Sequence, residues 1–384
     1  MTERVPVEVF PPGDFIREEL EARGWSQIDL AAILGRHARD VSEIITAKRS
    51  ISPETAKQLA AAFGTDPRLW MNLESIYRLS RVARADETVS RRARLYEKAP
   101  LREMIQRHWI EPSDNIEVLE KKVIEFFENA DLDKPITFMS HAARKSTSSE
   151  SATASQLAWL FRAKKLSKSL SGAKFSEKSF RECLSRLRQI LPYPRELHQV
   201  PAILSKSGIR FLIIEPLSGA RIDGACFWLD RHSPVVALSL RYDRIDWFWH
   251  TLAHELAHVQ NKDGMNSEVT IDTELLGGKT EHHEKKSPSE RRADEVAAGF
   301  LIPPDKLNSF MARVRPFYSA KKIKEFAATN SVHPGIVVGQ LQHRREISYA
   351  HNRNMLVKVR QILISSSLTD GWGCIPTAMT ESER

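Results

Sequence analysis

The sequence predicts a multidomain chain: an all-α N-terminal domain (1–80), a mostly helical linker region (81–200), an α+β domain (201–310) and a basic helical C-terminal segment with a disordered tail (311–384). Three observations lead there. At 384 residues the chain is too long for one ordinary core, so two or three domains are expected. Residues 13–79 carry five short helical patterns with clear start and stop signals. Beyond residue 200 strand-like runs break in, and the composition turns from helical to mixed.

Within 13–79 the apolar residues recur at helical spacing: Ile16 and Leu20, then Leu30, Ile33 and Leu34, then Val41, Ile44 and Ile45, then Leu59, Ala60 and Phe63. Ser26 precedes one helix, Ser52 with Pro53 another, and Asp66 with Pro67 a third; proline in a first helical turn loses no hydrogen bond. Gly24, Gly35 and Gly64 fall where helix ends need a left-handed residue.

From 81 to 200 the pattern is helical and charged, broken by KSTSSESATAS (145–155), a polar stretch expected to be a mobile linker. QLAWLFRAKKL (156–166) reads as an amphipathic helix, and another covers 176–190. Pro192, Pro194 and Pro201 mark a boundary, after which IRFLII (209–214), ACFWLD (225–230) and PVVALSL (234–240) read as strands. RIDWFWHTLAHELAHVQN (244–261) is apolar on most sides and reads as one long buried helix. After a polar loop (263–287), Ser289 is expected to begin a helix that stops at Pro303–Pro304. Residues 305–364 look helical with a break at Val332–Gly335, and the tail after Ile364 has no readable structure.

Hydrophobic content of 41% with 28% charged residues fits a soluble globular protein, and no apolar run reaches membrane-span length. The N-terminus lacks the basic-then-apolar layout of a signal peptide, so a cytoplasmic protein is expected. Cys183, Cys226 and Cys374 are odd in number and far apart, which argues against a disulfide framework and a cysteine metal site. The net charge of +8 is unevenly spread: 10 basic against 12 acidic side chains in 1–80, 23 against 16 in 81–200, and 24 against 21 in 201–384. The basic excess therefore lies outside the first domain. Residues 313–360 hold 10 Lys/Arg against Glu325 and Glu346, a solvated helix face or a nucleic-acid contact.

His254-Glu-Leu-Ala-His258 is the chemical centre of the sequence. Spacing of i and i+4 puts both imidazoles on one helix face about a turn apart, suited to two of four tetrahedral zinc positions. Glu255 beside them can take a proton from water and carry it to a leaving amine. A catalytic zinc needs three protein ligands, and the candidates downstream are Asp272, Glu274, His282, His283 and Glu290. Glu290-Arg-Arg-Ala-Asp294 opens a helix, the platform on which a third ligand is found in one large group of such enzymes. Asp294, one turn on, can accept the outer ring N–H of a zinc-bound histidine. His250 faces roughly the same way but suits packing or support better than ligation; His282-His283 read as an exposed loop pair. Tyr242 is a possible transition-state donor without a motif behind it.

Two resemblances follow from these residues. PPGDFIREELEARGWSQIDLAAILGR together with VSEIITAKRSISPETAKQLAAAFGTDPRLWMNLESIYRL resembles HigA-type antitoxins of the Cro/repressor-like (XRE) helix-turn-helix class. Residues 200–305, with HELAH and ERRADEVAAGFLIP, resemble the ImmA/IrrE metallopeptidases. The second resemblance implies a zincin-like α+β fold, Zn2+ bound by His254, His258 and Glu290, Glu255 as base, and cleavage of a repressor-like protein. The first implies DNA contacts by a recognition helix at about 38–46, with Arg39 and Ser42 toward a groove and Arg36, Lys48 and Arg49 on phosphates. Where that class places a small hydroxyl cap after the glycine, this chain has Arg36-His37-Ala38. The implied partners are an operator DNA, a repressor- or antitoxin-like substrate, a cognate toxin and a second copy of the chain. The competing expectation is an antitoxin-type regulator whose metal domain is structural or sensory, or a protein-recognition use of the first domain.

Overall fold

The computed structural model describes residues 9–81, 87–129, 131, 134–136, 138, 152–170, 172–265, 270–273 and 287–373. The chain divides into two compact units, Met1–Arg91 and Arg92–Arg384.

In the first unit, α1 (Pro12–Arg23), α2 (Gln27–Leu34), α3 (Ala38–Ile45), α4 (Pro53–Phe63) and α5 (Pro67–Arg81) follow the punctuation of the sequence. Ser26 and Ser52 accept the amides of Asp29 and Thr55, and Gly24, Gly35 and Gly64 close their helices at φ +67, +65 and +72. A side chain at these three positions would strain the left-handed cap. Ile16, Leu20, Leu30, Val41, Ile44, Leu59, Phe63 and Trp70 form the core. Ile33, expected in that core, is instead 49% exposed. Its neighbours Leu30 and Leu34 already fill the inner face of the eight-residue α2.

The second unit is built on a five-stranded mixed sheet of order β4-β2-β3-β1-β5. Its strands are β1 (Arg210–Ile214), β2 (Ile222–Trp228), β3 (Pro234–Leu238), β4 (Thr270–Thr273) and β5 (Leu368–Asp370). β1 runs parallel to β3 and β5, and β2 antiparallel to β3 and β4. Strand alternation divides the sheet's side chains between two cores. Phe211, Ile213, Cys226, Trp228, Val236 and Leu238 share one with α10 (Glu177–Ile190), α11 (Val200–Lys206), α12 (Ile245–Asn261) and helices that follow. Leu212, Ile214, Ala225, Phe227, Val235 and Ala237 join the other with α7 (Leu101–Gln106), α8 (Ile116–Phe126) and α9 (Ala154–Ser167).

This second helical layer corrects the reading of 81–200 as a linker region. β1, β2 and β3 are buried on both faces, so helices must cover both. α9, expected to be amphipathic, buries Ala158 through Ala163 without a break. Of the polar stretch 145–155, residues 145–151 lie outside the described residues. α6 (Glu87–Lys98) contains the boundary between the two units.

The C-terminal part contributes α13 (Pro288–Leu301), α14 (Pro304–Val314), α15 (Ala320–Thr329), α16 (Pro334–His343) and α17 (Arg360–Ile364). α13 is capped by Ser287, not by Ser289: the Ser287 hydroxyl accepts the Glu290 amide at 3.2 Å. The tail beyond Ile364 also departs from expectation, because β5 pairs with β1 through Leu368, Thr369 and Asp370. Asp370 is buried against Arg162 of α9, which clamps this strand in place. Residues 374–384, including Cys374, lie outside the described residues. Cys183 and Cys226 are buried and not joined in a disulfide, and burial pushes the Cys183 thiol up to about 11.

Candidate functional site

α12 carries the site through the interior: every residue from Ile245 to Val259 is buried. Its i, i+4 spacing sets His254 Nε2 and His258 Nε2 3.0 Å apart. α13 packs beside α12 and delivers Glu290 from its first turn. One Glu290 oxygen lies 3.2 Å from His254 Nε2 and the other 3.6 Å from His258 Nε2. Donor atoms of His254, His258 and Glu290 thus converge within 4.8 Å, with both histidines fully buried. Two imidazole nitrogens and a carboxylate at that separation fit a zinc ion with one position left for water or substrate.

The outer nitrogens of both rings face carboxylates. Asp294 Oδ1 lies 3.0 Å from His254 Nδ1, as one helical turn after Glu290 allows. Asp263 Oδ2 lies 2.8 Å from His258 Nδ1. With the protons held on Nδ1, both Nε2 lone pairs point at the triad. Asp263 was not foreseen from sequence. It reaches His258 because Lys262 ends α12 in the left-handed region at φ 59, and because Trp228 of β2 donates to the Asp263 carbonyl at 3.0 Å. The cue in sequence is a short polar turn, Lys262-Asp263-Gly264, closing the motif helix.

Glu255 is fully buried beside the triad, with its carboxylate against Gly224 of β2. A β-bulge at Ile222/Gly224 adjusts that strand where it passes the carboxylate. His250 stays outside the triad, its ring stacked 6.4 Å from that of His254. Tyr242 packs 4.1 Å from the Trp247 ring, and its hydroxyl accepts from Arg241 at 3.0 Å. Asp272 pairs with Gly224 across β4 and β2 through the backbone. Glu274, His282 and His283 lie outside the described residues.

The first unit presents a second candidate surface. α3 exposes Arg39 and Ser42, with Arg36 before it and Lys48 and Arg49 after it. A helix-turn-helix family model matches residues 16–70, which span α2, the turn at Gly35 and α3. The chain is 34% identical over 78 residues to the HTH-type transcriptional regulator YddM of Escherichia coli, covering 20% of this chain and 80% of that protein. It is 31% identical over 80 residues to virulence-associated protein I of Dichelobacter nodosus, covering 21% and 74%. Among solved structures, the antitoxin HigA of Pseudomonas aeruginosa with the higBA promoter is 35% identical, over 19% of this chain and 80% of its own, with a TM-score of 0.19. Through its first unit the chain belongs to the helix-turn-helix transcriptional regulators.

The helix-turn-helix module carries a charge network that spacing alone did not reveal. Arg39 bonds Glu43 at 3.0 Å, and Arg49 folds back to Asp40 and Glu43, both at 3.0 Å. Bonds from Arg39 and then Arg49 hold the Glu43 carboxyl below its ordinary range. Arg36 donates to Gln58 at 2.8 Å. Lys48 and Ser42 are exposed. His37 occupies the cap position of α3 without a side-chain cap bond, as the missing hydroxyl residue implies.

Proposed function

We propose that this chain is a DNA-binding transcriptional regulator carrying a zinc-dependent peptidase of the ImmA/IrrE type, which cleaves a repressor- or antitoxin-like protein. The observation that carries the peptidase half is the convergence of His254, His258 and Glu290 within 4.8 Å. His254 Nε2, His258 Nε2 and the Glu290 carboxylate would hold the ion. Zinc supplies a Lewis acid with an open coordination position when bound there.

The chain's own residues do the rest. Asp294 and Asp263 fix the histidine tautomers and keep both Nε2 atoms aimed inward. Glu255 takes a proton from the attacking water and returns it to the leaving amine. A metal site that served only structure would have no use for such a base, and this favours a hydrolase over a structural or sensory metal domain. In the helix-turn-helix module, Arg39 and Ser42 face the groove, with Arg36, Lys48 and Arg49 toward phosphates, in a dimer on an operator.

The test is to incubate the purified protein with zinc and the product of the neighbouring gene, and to identify new termini by mass spectrometry. Cleavage by the wild type and its loss by about 100- to 10,000-fold in Glu255→Gln, with metal retained, is the expected result. Cleavage by Glu255→Gln at the wild-type rate would overturn the peptidase reading.

A further inference from the structure

Asp294 belongs to two places at once. Its carboxylate meets His254 Nδ1 at 3.0 Å, and it also lines a cavity of about 260 Å³ between α12, α13 and α16. Ala298, Leu301 and Ile336 give that cavity apolar walls, while Asp294, Glu295 and Arg344 bring charge of both signs to it. Asp246 also faces it but is committed to Arg244 through bonds of 3.1 and 2.7 Å; Arg344 gives its Nη1 to Asn308 at 2.6 Å, so a ligand would meet its other guanidinium nitrogens, and His250 and His343 complete the lining. The cavity is held open by firm packing. α12 lies so close to α16 that a Cβ on Gly339 would collide with Asp246, and Gln340 of α16 donates to the Ala298 carbonyl of α13 at 3.3 Å.

From this we infer an effector site for a small zwitterion with an apolar side chain, a free amino acid of about leucine size. The volume falls just under the roughly 300–1,000 Å³ of sites for drug-sized ligands, so the occupant is a single residue and not a peptide. A plain anion would meet Glu295 and Asp294 and a plain cation would meet Arg344, so a molecule carrying both charges matches this lining better than either. Arg344 takes the carboxylate, Glu295 and Asp294 take the ammonium, and the side chain lies on Ala298, Leu301 and Ile336. An ammonium drawing on Asp294 weakens that carboxylate as the acceptor for His254. Occupancy therefore loosens the metal centre, an inference that rests on the zinc reading above. By reciprocity, zinc loosens the amino acid by the same factor.

The test titrates L-leucine, 3-methylbutylammonium and 4-methylpentanoate into the metal-free and the zinc-loaded full chain by calorimetry. Leucine should bind the metal-free protein with a Kd below about 1 mM, and each single-charge analogue at least about tenfold more weakly. Ala298→Phe, which fills the cavity, and Arg344→Gln, which removes the carboxylate partner at its rim, should each weaken leucine at least about tenfold while circular dichroism stays that of wild type. Leucine and zinc should weaken one another about fivefold or more, and Asp294→Asn should reduce that coupling. Absent leucine binding, equal binding of either analogue, or binding unchanged in both variants would overturn the site. Equal leucine affinity with and without zinc would overturn the coupling. A chain that never takes up zinc would overturn the metallopeptidase reading and the coupling together, and the metal-free titration would still decide the pocket.

Discussion

The carboxylate of Glu255 lies against the backbone of Gly224, so close that a Cβ at position 224 would fall inside 3.0 Å of Glu255 Oε1. Gly224 sits within β2, opposite Leu238 of β3, and both strands are buried along their whole length. The sheet therefore sets where the proposed base can stand. Gly224→Ala should keep the bound metal, lower peptidase turnover at least about 100-fold by displacing that base, and cost about 1–3 kcal/mol from overpacking. Turnover measured beside zinc content checks this. A variant with wild-type turnover would show that the close approach has no catalytic consequence.

The two carboxylates behind the histidines should matter to a similar degree. Asp263→Ala and Asp294→Ala are each expected to weaken zinc about 10- to 100-fold in a chelator competition, as loss of a ligand's hydrogen-bond partner usually does. An unaltered affinity in Asp263→Ala would show that the 2.8 Å contact with His258 Nδ1 does not orient the ring.

On the helix-turn-helix module, Lys48 is exposed, whereas Arg39 and Arg49 are engaged by Glu43. Lys48→Ala should weaken DNA binding evenly across sequences and lower the slope of log K against log salt by about 0.9, the release expected for one phosphate contact. Fluorescence anisotropy at several salt concentrations measures it. An unchanged slope would remove Lys48 from the interface.

The basic C-terminal segment contains a pH-dependent contact. Glu346 accepts from Arg315 and from the Tyr318 hydroxyl at 2.7 Å, and those bonds, Arg315 first, hold its carboxyl at about 2. Its folded value lies below the ordinary 4.5, so its stabilisation is present above that value and is lost as pH falls toward about 2. Denaturation of wild type and Glu346→Gln should differ by a constant amount above pH 5, roughly the unperturbed glutamate range plus a margin, and converge on acidification. A difference that grows as pH falls would contradict the assignment.

Much of this architecture can be read in local sequence. The five N-terminal helices, their serine and glycine caps, and the two motifs on α12 and α13 all depend on residues within a few turns of each other. What was missed depends on distant partners. Helices α7–α9 look like charged linker helices until the doubly buried sheet requires them as cover. β5 is three residues long and is held by an ion pair reaching 208 positions back to Arg162. Asp263 looks like any loop aspartate, and only the left-handed turn at Lys262 brings it under His258. Arg39 and Glu43 stand at the i, i+4 spacing that permits a pair, but nothing in the spacing shows Arg49 closing back on both Asp40 and Glu43 to make a network.

In the proposed metal centre Glu290 is the third ligand beside His254 and His258. Zinc content of purified Glu290→Ala relative to wild type, by elemental analysis after gel filtration, tests it most directly. One zinc per wild-type chain and near-complete loss in Glu290→Ala, with circular dichroism unchanged, is the predicted result. Full zinc retention in Glu290→Ala, with loss instead on replacing His282 and His283, would contradict the assignment.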